Sequence, residues 1–401
     1  MNILFVHQNC PGQFKHLAPA LVAQGHKVVF VTQKGKPTPD GVTKIEYAPH
    51  RKAGEKTHPY LVSSEAAVLN GQAVARVGFG LREKGFHPDV MIGNPGWGET
   101  LFLKDVWPDR PLISLSEFFY RGHGSDVGFD PEFDGGLDAP LRARTRSGVH
   151  LLALEAADIA YTPTRWQRDQ FPAVYHSKMR IIHDGIDCAR LRVDAQARVK
   201  LRDGTELSRE DEVLTFVARN LEPYRGFHSF MRALPQILRE RPGAHVVIVG
   251  GDDVSYGARA PGGQSWRARL LDEIGTLPDR VHFTGRLTYD DYVRVIQVSS
   301  VHAYLTYPFV LSWSMLEAMA VGGFVVGSRT PPVEEVIRDG ENGWLVDFFD
   351  IHALAGRLSE ALENRRQVDH IRAAARATVV DRYELKTCLK DQLALIAKMT
   401  G

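Results

Sequence analysis

The sequence predicts an α/β protein made of two doubly wound, Rossmann-like domains in tandem. Three observations carry this reading. Short β-rich apolar runs alternate with longer amphipathic stretches, the pattern of parallel sheets layered with helices. The chain has 401 residues, more than one ordinary core accommodates. The alternation also breaks near 194–212, where VKLRDGTELSREDE is charged, carries an Asp203-Gly204 hairpin signal and separates two βα series.

In the first series ILFV (3–6), KVVFVT (27–32), DVMIG (89–93), PLISLS (111–116), DIAYT (158–162) and RIIHDG (180–185) read as buried parallel strands. Helical stretches over 14–24, 62–84 and 141–156 lie between them. In the second series the strands are VLTFVA (213–218), HVVIVG (245–250), VHFTG (281–285), VHAYL (301–305) and GFVVGS (323–328). After Asn342-Gly343 the chain reads as wholly helical, with 376–401 expected to leave the second domain and pack back on the first. The expected organisation is therefore a first domain over 1–195, a second over 196–375 and a returning helix over 376–401.

Composition narrows the function. A formal net charge of +1 excludes the usual, distinctly basic nucleic-acid binder. Cys10, Cys188 and Cys388 are far apart and odd in number, so they form neither a disulfide framework nor a metal knuckle. A reducing cytoplasm is the expected home. The start, MNILFVHQNCPGQF, lacks the basic opening and long apolar core of a signal peptide. No run approaches the 18 or more apolar residues of a membrane span, so contact with the inner face of a membrane would be peripheral.

Ligands of open α/β sheets bind beyond the carboxyl ends of the strands, so the residues just after each strand are the candidates. After the first strand, Pro11-Gly12-Gln13 turns into a helix; this is either a plain βα turn or a place where Gly12 lets backbone approach a ligand closely, with Gly12 and Gln13 counted among the donor-binding residues. This is not the G-x-G-x-x-G of dinucleotide enzymes, which argues against an oxidoreductase. After strand 213–218, Arg219 and Arg225 flank a short loop and Gly226 opens an amphipathic helix. Two guanidiniums near a helix N-terminus suit a pair of phosphates; alternatively they pair with Glu222 or other carboxylates. Gly250-Gly251 and Arg286 close two further strands and offer backbone amides and a cation.

The stretch TYPFVLSWSMLEAMAVGGFVV (306–326) holds one carboxylate, Glu317, in an otherwise uncharged run. A lone buried carboxylate costs several kcal/mol unless something hydrogen-bonds to it. Two readings stand side by side. Ser314 and Glu317 fit a capping box. Otherwise the amides of Leu311, Ser312, Trp313, Ser314, Met315 and Leu316 hold phosphates while Glu317 accepts two ribose hydroxyls.

In the first domain Glu117 opens a Gly- and aromatic-rich insert that either holds a hydroxylated acceptor or is a solvated structural loop, and His183 follows a strand near the crevice as a candidate for contacting donor or acceptor; both are counted as candidate catalytic residues. Phe129 to Gly135 mimics the start of a calcium loop, but its twelfth position is Leu141, where a bidentate Glu is required, so calcium is rejected.

At these residues the chain resembles the GT-B glycosyltransferases of family 4, the retaining group that uses nucleotide sugars. Arg219 and Arg225-Gly226 resemble the family's basic pair for the donor diphosphate. Glu317-Ala318-Met319-Ala320 and Gly322 to Val326 match the second half of E-x7-E followed by A-M-A-x-G-x-P-V-V. Ile182 to Asp187 looks like P-N-G-V-D, and Glu334 to Ile337 with Gly340 to Gly343 match E-[IV]-[IV]-x-x-G-x-x-G.

The resemblance implies a GT-B fold and sugar transfer from a UDP- or GDP-linked donor to a glycan, glycolipid or small hydroxylated acceptor, with retention. It also implies Glu317 as ribose ligand, closure of the domains over the donor, and no cofactor or metal. The chain departs from the family at Phe309, which occupies the position of the first Glu. Two rivals stand beside this reading: a nucleotide-sugar 2-epimerase, which shares the architecture but for which Phe309 makes the sugar site look too apolar, and a catalytically idle sugar-nucleotide binding subunit, suggested by the missing Glu.

Overall fold

The computed structural model describes all residues except 134, so Asp134 of the acidic stretch lies outside the described residues. The chain divides into two compact units, Met1–Gly185 with Lys386–Gly401, and Ile186–Leu385. The expected joins were 195/196 and 375/376. The observed ones differ because of core packing. Ile186, Cys188 and Leu191 bury their side chains with Ala375, Val379 and Tyr383 in the second unit's core. Only the last helix, Leu385–Thr400, joins the first core, through Leu395 and Ile396.

The first unit holds seven strands: β1 (Asn2–Val6), β2 (Lys27–Gln33), β3 (Thr43–Tyr47), β4 (Val90–Gly93), β5 (Leu112–Leu115), β6 (Ile159–Thr162) and β7 (Met179–Ile181). They form one parallel sheet in the order β3-β2-β1-β4-β5-β6-β7. The central β1 is apolar because both its faces are covered, and Ile3 stands in register with Val28 on one side and Val90 on the other.

The second unit begins with an antiparallel hairpin of β8 (Arg198–Lys200) and β9 (Glu206–Ser208) around Asp203-Gly204. Its main sheet is parallel, with β10 (Val213–Asn220), β11 (His245–Gly251), β12 (Val281–Gly285), β13 (Val301–Tyr304), β14 (Val325–Ser328) and β15 (Trp344–Val346). The order is β12-β11-β10-β13-β14-β15.

Two strands of the main sheets were not expected. β3 is an edge strand whose TKIEY carries two charges and buries only Tyr47, so its apolar signal is weak. β15 corrects the expectation that the chain is wholly helical beyond Asn342-Gly343: three residues add the last strand to the sheet before the helices resume. No helix among the described residues is long and apolar enough to cross a membrane.

In each sheet the strand order reverses once, between β1 and β4 in the first unit and between β10 and β13 in the second. Such reversals leave a gap at the carboxyl ends of the two central strands, where open α/β sheets take their ligands.

Candidate functional site

At the reversal of the second sheet stands Arg225. The chain leaves β10 through the single turn Pro223–Arg225 and enters the helix Phe227–Glu240 at Gly226. Gly226 has φ +65°, and a Cβ there would lie 2.3 Å from Leu305 Cβ, so the crossing from turn to helix needs a glycine. The turn buries Arg225. Its Nη1 donates to Thr306 Oγ1 at 2.9 Å, to the Val310 carbonyl at 2.9 Å and to the Tyr304 hydroxyl at 3.4 Å. All three acceptors belong to β13 or the loop after it, so one cation ties together the two sides of the reversal. The rings of Tyr256 and Phe309 lie 5.4 and 5.8 Å from the guanidinium carbon.

Glu222 does something other than pair with the arginines. Fully buried, it accepts the backbone amides of Ser255, Tyr256 and Gly257 at 2.9, 3.2 and 2.9 Å. Three amide bonds compensate its burial and fix the loop that brings Tyr256 over Arg225. Arg219 is exposed near the end of β10, unlike Arg225. Its neighbour Asn220 makes the contacts instead. Asn220 accepts from Arg286 Nη2 at 3.0 Å, donates to Ser255 Oγ at 2.8 Å, and stands in register with Gly251. Gly250, Gly251 and Arg286 thus gather at one corner, beside β10.

After β13 the helix Trp313–Ala320 is capped by Ser312, which accepts from the Ser314 amide. The Ser312 amide itself donates to the Tyr304 hydroxyl at 2.8 Å. Met315 and Leu316 point wholly into the core, so only their backbone can face a ligand. Leu311 and Trp313 also pack against that core. Of the two readings of Glu317, the capping box with Ser314 does not form. Glu317 Oε1 accepts from the Tyr289 hydroxyl at 2.9 Å and Oε2 from the Tyr292 hydroxyl at 2.7 Å. Phe309 is 5 % exposed and packs against Tyr224 and Tyr256, with ring centroids at 5.5 and 4.8 Å.

At the reversal of the first sheet the chemistry is uncharged amide against carboxylate. Gly12 (φ +55°) begins the turn Gly12–Phe14, and a Cβ there would stand 2.9 Å from the His7 ring. Gln13 Nε2 donates to Glu117 Oε2 at 2.8 Å, and Asn94 Nδ2 to the same oxygen at 3.3 Å. Residues following β1, β4 and β5 therefore meet on one half-buried carboxylate. His183, by contrast, is a buried turn residue. Its Nδ1 accepts the Gly185 amide at 3.0 Å, and burial holds its pKa down at about 4, so it is neutral at pH 7.

Two family models match the chain, "Glycosyl transferase family 4 group" over residues 24–191 and "Glycosyl transferases group 1" over residues 199–378. The chain belongs to the family 4 glycosyltransferases. Among the curated relatives of this family 4 chain is the D-inositol 3-phosphate glycosyltransferase of Acidothermus cellulolyticus, 29 % identical over 226 residues. That match takes in 55 % of this chain and 49 % of the relative, so the chain spans about half the relative's length. Among solved structures, sucrose-phosphate synthase from Thermosynechococcus elongatus superposes with a TM-score of 0.76 at 19 % identity, covering 100 % of this chain and 99 % of its own. Anabaena Alr3699/HepE in complex with UDP and glucose gives 0.70 at 17 % identity, covering 99 % and 100 %. The GT-B fold of family 4 is therefore that of this chain.

Sequence reasoning about this family 4 member missed Asn94, Asn220, Tyr289 and Tyr292. The asparagines close or follow strands, a signal that was available. The tyrosines sit at i and i+3 on a helix, and only the fold aims both at Glu317.

Proposed function

We propose that this chain transfers a sugar from a nucleoside-diphosphate sugar to an acceptor hydroxyl with retention of configuration. The observation that supports it most is Arg225: a buried guanidinium, held by the loop after β13, at the point where the second sheet reverses. A guanidinium carries five N–H donors, and the contacts to Tyr304, Thr306 and Val310 all engage Nη1.

As the bond between the anomeric carbon and the phosphate oxygen breaks, negative charge grows on the leaving diphosphate. Arg225 and the first turn of the helix Trp313–Ala320 stabilise that charge from positions set before reaction. Arg219 and Arg286, near the same strand ends, add positive potential. The acceptor oxygen bonds to the anomeric carbon, and its proton passes to the departing phosphate oxygen on the same face. Glu317 takes the ribose hydroxyls. The arginines and the helix supply the countercharge, so transfer needs no metal. In the first unit Gln13, Asn94 and Glu117 receive the acceptor, with Glu117 taking a hydroxyl proton into a hydrogen bond. A glycan, a glycolipid reached by peripheral membrane contact, or a polyol phosphate suits such a site.

The test is to incubate the full chain with UDP- and GDP-sugars, with and without an acceptor panel headed by inositol phosphates, and to follow products by mass spectrometry and NMR. Acceptor glycosylation with the anomeric configuration kept supports the proposal. Change of the sugar at C2 without acceptor would replace it with the epimerase reading. Tight nucleotide binding without turnover would replace it with a binding subunit.

A further inference from the structure

Glu317 is 6 % exposed, yet neither of its oxygens is spent on its own helix. Its partners are tyrosines from the preceding helix, Tyr289–Val298, which begins directly after the loop that follows β12. Tyr289 and Tyr292 are three residues apart, so their side chains rise from one face of that helix. Each hydroxyl takes a different carboxylate oxygen. Tyr292 is anchored in the core among Met315 and Leu316. The Tyr289 ring carries the Arg190 guanidinium at 4.5 Å, and Arg190 is tied in turn to Asp290 at 2.5 Å. Burial, followed by the negative charge of Glu317, raises the pKa of both phenols, so both stay protonated and donate.

A carboxylate has about four acceptor directions, two on each oxygen. The phenols engage one on each oxygen, which leaves one on each for a ligand and fixes the plane in which both lie. From this we propose that Tyr289 and Tyr292 are positioning residues that orient Glu317 as a two-pronged acceptor for a vicinal diol, making the site selective for ribonucleotides over 2′-deoxyribonucleotides. The inference rests on the reading of Glu317 as ribose ligand.

The physical advantage is preorganisation. An exposed glutamate loses rotor freedom when a diol binds, which weakens the complex. Glu317 is already ordered by two hydroxyls and a core-packed ring. A diol with both hydroxyls gains both bonds. A 2′-deoxy sugar leaves one prepared acceptor unmatched in a nearly buried site, where an unmet hydrogen bond is costly.

The experiment measures affinities of the full chain for UDP, 2′-deoxy-UDP, GDP and 2′-deoxy-GDP by calorimetry, in the unaltered protein and in Tyr289→Phe, Tyr292→Phe and Glu317→Gln. Phenylalanine keeps the ring and removes only the hydroxyl, and Tyr289 lies partly exposed, so at least that variant folds; melting curves identify any that does not. We expect the unaltered protein to prefer the ribonucleotide by roughly tenfold, about the value of one hydrogen bond to a charged group. Each Phe variant should lose most of that preference while its affinity for the deoxynucleotide stays nearly unchanged. A merely structural role predicts equal loss for both nucleotides, and a preserved ratio in the Phe variants overturns the proposal. If the unaltered protein and Glu317→Gln are alike in showing no preference, Glu317 is not the ribose ligand, and the inference falls with that assignment.

Discussion

The two sheets reverse in the same way, yet the groups at their reversals differ in kind. In the second unit a buried cation, Arg225, spans the gap between β10 and β13 and is walled by aromatic rings. In the first unit a half-buried carboxylate, Glu117, collects the amides of Gln13 and Asn94. Desolvated permanent charge suits a ligand that develops negative charge, because electrostatic interactions strengthen where water is excluded. A carboxylate ringed by amides suits neutral hydroxyls, which it recognises by hydrogen bonds without binding them strongly. One fold plan, with different residues after its central strands, thus produces a cationic end and a carboxylate end, which the proposed reaction assigns to donor and acceptor.

The most direct challenge to this contrast removes the cation. Arg225→Ala should slow transfer about 10²–10³-fold, roughly 3–4 kcal/mol of transition-state stabilisation. Arg225→Lys should recover part of the rate, since it restores charge but not the fork. Transfer by the Ala variant at nearly the unaltered rate would remove Arg225 from the chemistry.

A pH titration compares the stability of the units. Burial lowers the pKa of His7, His150 and His183 in the first unit, and of His302 in the second, to about 4. A depressed histidine pKa means the unfolded chain binds protons more readily below 6.5, so each neutral imidazole loses stability as pH falls from 6.5 towards 4. Glu99 works the other way. Its pKa is raised to about 7 by burial, partly offset by the Tyr47 hydroxyl at 2.6 Å, so its contribution is lost as pH rises from 4.5 through 7. Three imidazoles against one carboxyl leave the first unit the more acid-sensitive, at about 1.4 kcal/mol for each tenfold change in a group's proton affinity. Hydrogen exchange at pH 5 should show first-unit amides opening before those of the second unit. The reverse order would contradict the balance. Glu99→Gln should flatten the alkaline side.

Smaller effects come from the walls of each site. Phe309→Glu places a carboxylate where the Arg225 guanidinium now meets a ring, and the resulting ion pair draws charge away from phosphate. Transfer should fall by roughly tenfold, an effect of about 1.4 kcal/mol; a rise would show that the site had merely lost a useful contact. Glu117→Gln should raise the acceptor KM a few-fold, as expected for about 1 kcal/mol per hydrogen bond, and leave the donor Kd unchanged. A changed donor Kd would blur the division between the two ends. Excess chelator should change nothing. Loss of activity in EDTA, restored by Mg²⁺ or Mn²⁺, would show that the arginines and the helix do not carry the countercharge alone.

Much of the fold was legible in the sequence because it is written locally. Short β-rich apolar runs bounded by turn residues suit strands covered on both faces, and the eleven expected runs, from ILFV to GFVVGS, mark strands of the two main sheets. Glycine at 226 and the Asp203-Gly204 turn are likewise local, because they are set by backbone sterics. The partners of buried polar groups were chosen by packing instead. For Glu317 the spacing left a cap with Ser314 open beside a ligand role, because those two are neighbours in sequence, yet tyrosines 28 and 25 residues away reach it. For Glu222 the sequence offered only the arginines beside it as partners, the alternative to their phosphate role, yet it holds the amides of a loop more than 30 residues on. A charge leaving water takes whichever donors the packed chain brings within about 3 Å, and that choice depends on how helices and loops meet over the sheet, which no local pattern specifies.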